Sequence, residues 1–469
     1  MIRLFRHYVS QTLFTLLIAE ALNLFWAIYF GRALRMGQGY QEAAWPHLGE
    51  VAPNALVFTM VMITIMVALG LYERHFWRGK SDMLLRVGIS FLLGLFVMTN
   101  VYYLFPDLYL GRGEFSLAFV ISFVGVLLLR FLFFQVTDYD LLKRRVLVLG
   151  VGQHAAQIEE LQEHPAIAAA SFRVLGYVRV HGDETRRVSE TRILQPTTTL
   201  FDLSEQLRID EIVTAMDDRR KGFPVDEILE CKMQGITISN CLNFFERESG
   251  KIELDALHPS NLIFADGLHS SLLQRFAKRS FDLVASLILL MLTWPIMLLA
   301  TLAIWIESGL RGPILYRQVR VGRRDRLFEV IKFRSMRTDA EKDGKARWAE
   351  KNDNRITLVG AILRDTRIDE LPQLFNVLWG QMSFVGPRPE RPQFVTDLSQ
   401  KIPFYRMRHV VKPGITGWAQ ICYPYGASEA DSREKLRYDL YYIKNYSFFF
   451  DVVILLQTVH TVLWGKGAH

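Results

Sequence analysis

The sequence predicts a membrane α-helical bundle of four spans (residues 1–138), then an α/β Rossmann-like cytosolic domain (139–262). A linker (263–277) leads to a second α/β module (278–469) that opens with a re-entrant membrane helix (281–305). Three observations carry this. Four apolar stretches in the first third each match the thickness of a bilayer. Strands and helices then alternate behind a glycine-rich turn, the pattern of a parallel sheet. A further apolar run with a proline near its middle precedes a basic region containing paired carboxylates. Composition agrees: of 469 residues, 50% are hydrophobic, and mean hydropathy is +0.15, high for a protein without membrane segments.

The spans fall at about 9–30, 52–72, 84–105 and 115–136. MIRLFRH is basic and leads into a long apolar run with no small-residue cleavage site after it. It reads as a retained first span rather than a signal peptide. Arg3 and Arg6 precede span one. Arg74, Arg78, Lys80 and Arg86 lie between spans two and three, and Lys143, Arg144 and Arg145 follow span four. The third-to-fourth loop has one arginine against Asp107 and Glu114. Positive charge on the cytoplasmic side puts both ends of the bundle in the cytoplasm. Arg32 and Arg35 in the first loop fit this less well.

The α/β domain opens with RVLVLGVGQHAAQIEELQEH, a buried strand, a glycine turn and a helix. FRVLGYVRV, EIVTAM and ITISN read as further strands, LFDLSEQL and VDEILECKMQ as helices. Gly150, Gly152 and Ala155 form a GxGxxA turn, which either cradles a pyrophosphate or survives as scaffold. No acidic residue sits squarely at the tip of the second strand; Asp183 is the nearest.

Residues 281–305 are long enough to cross a ~30 Å core at ~1.5 Å per residue. Lys278 and Arg279 flank the entry, and Arg311, Arg317, Arg320, Arg323 and Arg324 the exit, so both flanks read as cytoplasmic. Pro295 lacks the amide hydrogen and clashes with the preceding turn, so the expectation is helix–break–helix, entering and leaving one leaflet. A fifth span is the alternative. The apolar tail YSFFFDVVILLQTVHTVLW, interrupted by Asp451 and His460, reads as an interfacial helix.

The most informative stretch is LRDTRIDELPQLFNVLWGQMSFVGPRPE, Leu363 to Glu390. Asp369 and Glu370 head an amphipathic helix among arginines, with a Gly-Pro-Arg-Pro turn behind it. A carboxylate among cations suits attack on a phosphate, since anion–anion repulsion has to be neutralised first. Helix capping by Asp369 is the rival explanation, and a solvated basic face explains the arginines equally well. The net charge of +7 suits an anionic leaflet or phosphate ligands. No nucleic-acid-binding pattern appears, so nucleic acid is not an expected partner. The cysteines, Cys231, Cys241 and Cys422, form no CxxC pair and read as isolated thiols.

These motifs together resemble the bacterial sugar transferases, the monotopic phosphoglycosyl transferases. The matching residues are Lys278-Arg279-Phe281-Asp282, Pro295, Gly312-Pro313, Arg317-Gln318, Lys332 to Met336, Arg364, Asp369 to Leu374, Gly386 to Pro389 and Lys412 to Gln420. The spans and the Rossmann-like domain resemble the large subclass of that family. Trp294 and Arg367 stand where serine is common. The resemblance implies transfer of a hexose-1-phosphate from a UDP-hexose to undecaprenyl phosphate, releasing UMP and starting a surface polysaccharide. It implies Asp369 as nucleophile, with Glu370 beside it near Mg²⁺. Lys332, Arg334, Arg364 and Arg388 are the expected phosphate contacts, Trp418 and Gln420 the nucleotide contacts. Lys278, Arg279 and Pro295 would set the depth of the site among membrane lipids. The expected location is the bacterial cytoplasmic membrane, with both α/β modules in the cytoplasm. A homodimer is among the assemblies the sequence permits.

Two other readings stay open. A membrane-bound NAD-dependent nucleotide-sugar dehydratase would need a Tyr-x-x-x-Lys in its C-terminal half, whereas Tyr139 and Lys143 precede the first strand. A non-enzymatic membrane sensor or scaffold explains the first 262 residues as well, but leaves the Asp-Glu and GPRP motifs unused.

Overall fold

The computed structural model describes residues 2–4, 7–9, 11–36, 48–72, 80–137, 143–163, 172–180, 187–195, 198–217, 222–254, 272–338, 355–423, 426 and 428–463. Tyr139 and most of the expected linker lie outside them. The chain forms two compact units, dividing at Ser249/Gly250 apart from a few N-terminal residues.

The first unit begins with helices α1 (Gln11–Met36), α2 (Leu48–Ala68), α3 (Lys80–Leu104) and α4 (Arg112–Thr137). Each contains a stretch apolar and long enough to cross a membrane. Leu24, Phe58, Met62, Val87 and Val126 point inward, while Met60, Leu92, Phe96, Val120 and Phe131 are exposed. α1 packs closely on α4 because Gly31 has no side chain: a Cβ there would stand 2.7 Å from the Ala118 nitrogen. Arg86, expected in a basic loop, is instead inside α3, fully buried, with its guanidinium donating to the Leu69 carbonyl (3.0 Å). Glu20 and Arg130 are also buried and pair at 2.7 Å, since a charge inside a bundle needs a partner.

The same unit contains five parallel strands: β1 (Arg144–Leu149), β2 (Phe172–Val178), β3 (Ile193–Leu194), β4 (Glu211–Thr214) and β5 (Thr237–Asn240). Their spatial order is 3-2-1-4-5. Val146 and Val148 of β1 enter one core and Leu147 and Leu149 the other, so the strand is covered on both faces. The helices are α5 (Gln153–Glu163), α6 (Leu200–Gln206), α7 (Val225–Met233) and α8 (Cys241–Ser249).

The second unit starts earlier than the expected boundary at 262. Ile252 N–H donates to the Arg437 carbonyl, and the Trp418 indole to that of Gly250. Its first helix, α9, runs unbroken over Leu272–Glu307. It takes in residues 272–277, expected as linker, and continues through Pro295, where a break was expected. A proline costs the ladder one hydrogen bond and bends the helix, and the remaining bonds keep the backbone helical.

Both ends of α9 are fastened to this unit. At the first end Lys278 pairs with Asp451 (2.6 Å) and donates to the Val385 carbonyl (3.1 Å). Arg279 donates to the carbonyls of Val377 and Leu378, the C-terminal end of a helix where cations are favoured. Asp282 accepts from Ser383 Oγ and Phe384 N–H. At the other end Ala300 and Ile304 join a core with Phe333 and Leu363, against which Ile368 packs. Between these anchors Met291, Leu292, Trp294 and Leu299 are exposed.

The unit continues with an antiparallel hairpin, β6 (Leu315–Val321) and β7 (Leu327–Phe333). Then come α10 (Leu358–Asp365), a 3-10 turn (Ile368–Glu370), α11 (Gln373–Leu378) and β8 (Ser383–Val385). α12 (Pro392–Lys401), a 3-10 stretch (Tyr405–Val410), β9 (Gly414–Thr416), α13 (Trp418–Cys422), α14 (Glu429–Lys444) and α15 (Phe448–Leu463) follow. β8 and β9 pair in parallel. Phe450, Asp451 and Ile454 of α15 are buried, so this helix, expected at an interface, commits one face to the unit's interior.

Candidate active site

Strand β7 brings Lys332 to the site. Buried Asn376 of α11 accepts from Ile331 N–H (3.1 Å) and donates to the Glu329 carbonyl (2.7 Å), which locks strand to helix. The carboxylates come from the other side. α10 is capped by Thr357, whose hydroxyl accepts from Gly360 N–H. Arg367 then takes a left-handed conformation (φ 59°), which turns the chain into the 3-10 segment holding Asp369 and Glu370. The third side is the GPRP turn after β8. It crosses the Lys412–Gly414 segment so closely that a Cβ on Gly414 would lie 2.1 Å from the Gly386 nitrogen. Only glycine fits this crossing.

Glu370 Oε1 accepts from Lys332 Nζ (2.8 Å) and from Arg388 Nη2 (2.7 Å). Burial alone would raise the Glu370 carboxyl, but Arg388 and Lys332 outweigh it and hold the group well below the usual range. Burial lowers Lys332, opposed by Glu370. Asp369, also buried, makes no hydrogen bond or ion pair among the described residues. Burial pushes its carboxyl up and Glu370 adds to this, while Lys332, Arg364 and Arg388 oppose. The capping explanation is not realised, because no side chain caps α11. The arrangement is one carboxylate neutralised by two cations beside a second left unpartnered, with cations near enough to receive a phosphate.

Other expected residues fall differently. Arg364 lies in the last turn of α10 and acts electrostatically on Asp369. Arg334 lies against Gly312, where a Cβ would meet Nη1 at 2.2 Å. Lys278 and Arg279 anchor α9 as described. Trp418 and Gln420, expected on the nucleotide, engage the fold: Trp418 packs on Tyr441 and Phe450 and bonds Gly250, and Gln420 bonds the Ile415 carbonyl. Asn376 and Arg408 were not anticipated. Asn376 interrupts an apolar helix face, which was a readable signal; Arg408 had none.

Among the described residues no three His, Cys, Asp or Glu side chains converge as a metal cage. Mg²⁺ commonly takes one or two carboxylates and completes its shell with water and substrate phosphates. Asp369 and Glu370 fit that use, with Glu370 Oε1 already committed to two cations.

The GxGxxA turn in the first unit is occupied by the chain itself. Asp217 accepts from Gln153 N–H (2.8 Å) and His154 N–H (3.0 Å) at the start of α5, where a pyrophosphate would bind. A Cβ on Gly152 would strike the same carboxylate.

Residues 273–465 match the family model described as bacterial sugar transferase. A UDP-N-acetylgalactosamine-undecaprenyl-phosphate N-acetylgalactosaminephosphotransferase of Aeromonas hydrophila is 41% identical over 56% of this chain and 61% of its own length. The chain therefore spans less than two-thirds of that relative. A UDP-glucose:undecaprenyl-phosphate glucose-1-phosphate transferase of Caulobacter vibrioides is 35% identical over 54% of this chain and 100% of its length. The exopolysaccharide production protein PSS of Rhizobium leguminosarum bv. phaseoli is 42% identical over 40% of this chain and 97% of its length. The family match spans the Asp369–Glu370–Arg388 cluster and all of α9 but its first residue, and the chain belongs to the bacterial sugar transferase family.

Proposed function

We propose that this protein transfers a hexose-1-phosphate from a UDP-hexose to undecaprenyl phosphate at the cytoplasmic face of a bacterial membrane. The carrying observation is the unpartnered Asp369 carboxylate beside a Glu370 already neutralised by Lys332 and Arg388. The names of the Aeromonas and Caulobacter relatives support the substrate classes.

In the first step Asp369 attacks the sugar-bearing phosphorus. The bond from that phosphorus to the bridging oxygen breaks, and UMP leaves with its electron pair. The hexose phosphate is then an acyl phosphate on Asp369. In the second step an oxygen of undecaprenyl phosphate attacks the same phosphorus and the Asp369 carboxylate leaves, giving a lipid diphosphate sugar. Neither step needs a general base, because nucleophile and acceptor are both anions. Lys332 and Arg388 hold Glu370 in place and lend positive potential to the transferring phosphate, and Arg364 adds to the positive potential at Asp369. A bound Mg²⁺, held by Asp369 and Glu370, would supply charge neutralisation on the diphosphate.

The fastening of both ends of α9 to one folded unit supports the re-entrant reading. A spanning helix would put Lys278 and Glu307 on opposite faces, yet both bond to the same unit. The parallel 3-2-1-4-5 order supports a Rossmann-like domain, and Asp217 in its cradle favours the scaffold role over dinucleotide chemistry. The four N-terminal helices read as four spans with both ends in the cytoplasm. A panel of UDP-sugars assayed for UMP release with and without undecaprenyl phosphate tests the reading. Release from at least one sugar, lost in Asp369→Asn, is expected; equal release by that variant contradicts it.

A further inference from the structure

The Gly-Pro-Arg-Pro turn is held more completely than a surface turn requires. Four consecutive carbonyls each have a donor. Pro387 O accepts from Gly414 N–H (3.0 Å) and Glu390 O from Val321 N–H (2.9 Å). Pro389 O accepts from Arg320 Nη1 (3.0 Å), and Arg388 O from Arg408 Nη2 (3.0 Å). Two of the four donors are arginine side chains, an expensive choice where water would serve as well.

Arg408 is itself buried and fixed from three directions. Its guanidinium donates to Tyr405 Oη (2.7 Å) and to the Arg388 carbonyl, and it forms an ion pair with the Asp439 carboxylate (2.8 Å) on α14. Asp439 is buried as well. The guanidinium fork thus joins α14 and the 3-10 stretch to the backbone of the one turn residue whose side chain reaches Glu370. A lysine could not serve all three acceptors, because it lacks the planar fork.

We infer that Arg408 is a positioning residue for phosphoryl transfer: clamped by Tyr405 and Asp439, it holds the Arg388 backbone so that the Arg388 guanidinium is already in place against Glu370. This rests on the transferase reading proposed above. Arg408 touches no reacting atom in this account and works only through Arg388.

The test is a double-mutant cycle on the full-length protein, read as UMP release, with hydrogen exchange of the same variants. Arg408→Gln should lower kcat by about 10- to 100-fold, as expected for a misplaced catalytic neighbour. In the Arg388→Gln background the same change should cost less than about threefold, because the residue through which it acts is gone. Arg408→Lys retains the charge opposite Asp439 and should fold, yet should not restore the rate. In both Arg408 variants, exchange in peptides covering 384–391 should rise several-fold while α10 stays unchanged. Multiplicative losses in the cycle, or unchanged exchange in the turn, overturn the inference. Failure of the transferase reading shows separately, as wild-type UMP release that is absent or survives Asp369→Asn; the exchange measurement then still decides whether Arg408 holds the turn.

Discussion

Asp369 and Glu370 are neighbours with opposite electrostatic fates. Glu370 is held ionised by two direct cation contacts, whereas burial raises Asp369 and Glu370 adds to this, and among the described residues no cation bonds it directly. In the proposed mechanism Asp369 must be ionised to attack, so activity falls as pH drops through its pKa. The acidic limb of kcat/KM should therefore lie above the ordinary aspartate value of ~3.9. Arg364 lowers that pKa, so Arg364→Gln should move the limb to higher pH; a shift to lower pH contradicts the assignment. Asn376 is a separate case. Its loss strands the buried Ile331 amide and frees the part-buried Glu329 carbonyl on β7, at a cost of about 1–3 kcal/mol for the buried group left unpaired. Asn376→Leu should lower the denaturation midpoint and also reduce kcat, because Lys332 follows the clamped Ile331 in the same strand. Unchanged stability would show that β7 is held by other contacts.

At the scale of elements, α9 departs most from expectation. The proline, the basic flanks and the apolar run were legible in the sequence, but the run of 36 helical residues was not. A break and a bend through Pro295 give the same periodicity on either side, and only packing distinguishes them. The anchors Asp451, Ser383 and Phe333 lie far along the chain from α9, beyond the reach of any local pattern. Cysteines placed singly at Arg275 and Arg311 should both label from the cytoplasmic side in sealed vesicles. Labelling from opposite sides would make α9 a fifth span. Lys332, Glu370 and Arg388, which stand in the stretches that carry the family resemblance, meet across three elements. Trp418, expected on the nucleotide, packs on Tyr441 and Phe450, and an indole next to a glycine turn reads alike in sequence whether it stacks on a base or on such rings. The α5 cradle makes the same point: the glycines of a phosphate turn are present, and a carboxylate about sixty residues away fills it. NADH should therefore show no saturable binding to the purified protein by equilibrium dialysis, and a saturable site lost on Gly152→Val would reopen the dehydratase reading.

For the whole molecule, one folded unit fastens a long apolar helix at both ends and holds close to it a carboxylate with no bond among the described residues. Ile368, next to Asp369, packs against the same core that holds Ala300 and Ile304 of α9, so the placement of this end of the helix and that of Asp369 are set together. A soluble nucleotide sugar and a lipid phosphate can then use one carboxylate in turn. The most direct measurement is intact-peptide mass spectrometry after incubation with the preferred UDP-sugar and no lipid acceptor. The peptide containing Asp369 should gain one hexose phosphate, lose it when undecaprenyl phosphate is added, and stay unmodified in Asp369→Asn. UMP release that strictly requires the lipid acceptor, with no adduct on that peptide under any quench, would contradict the proposal.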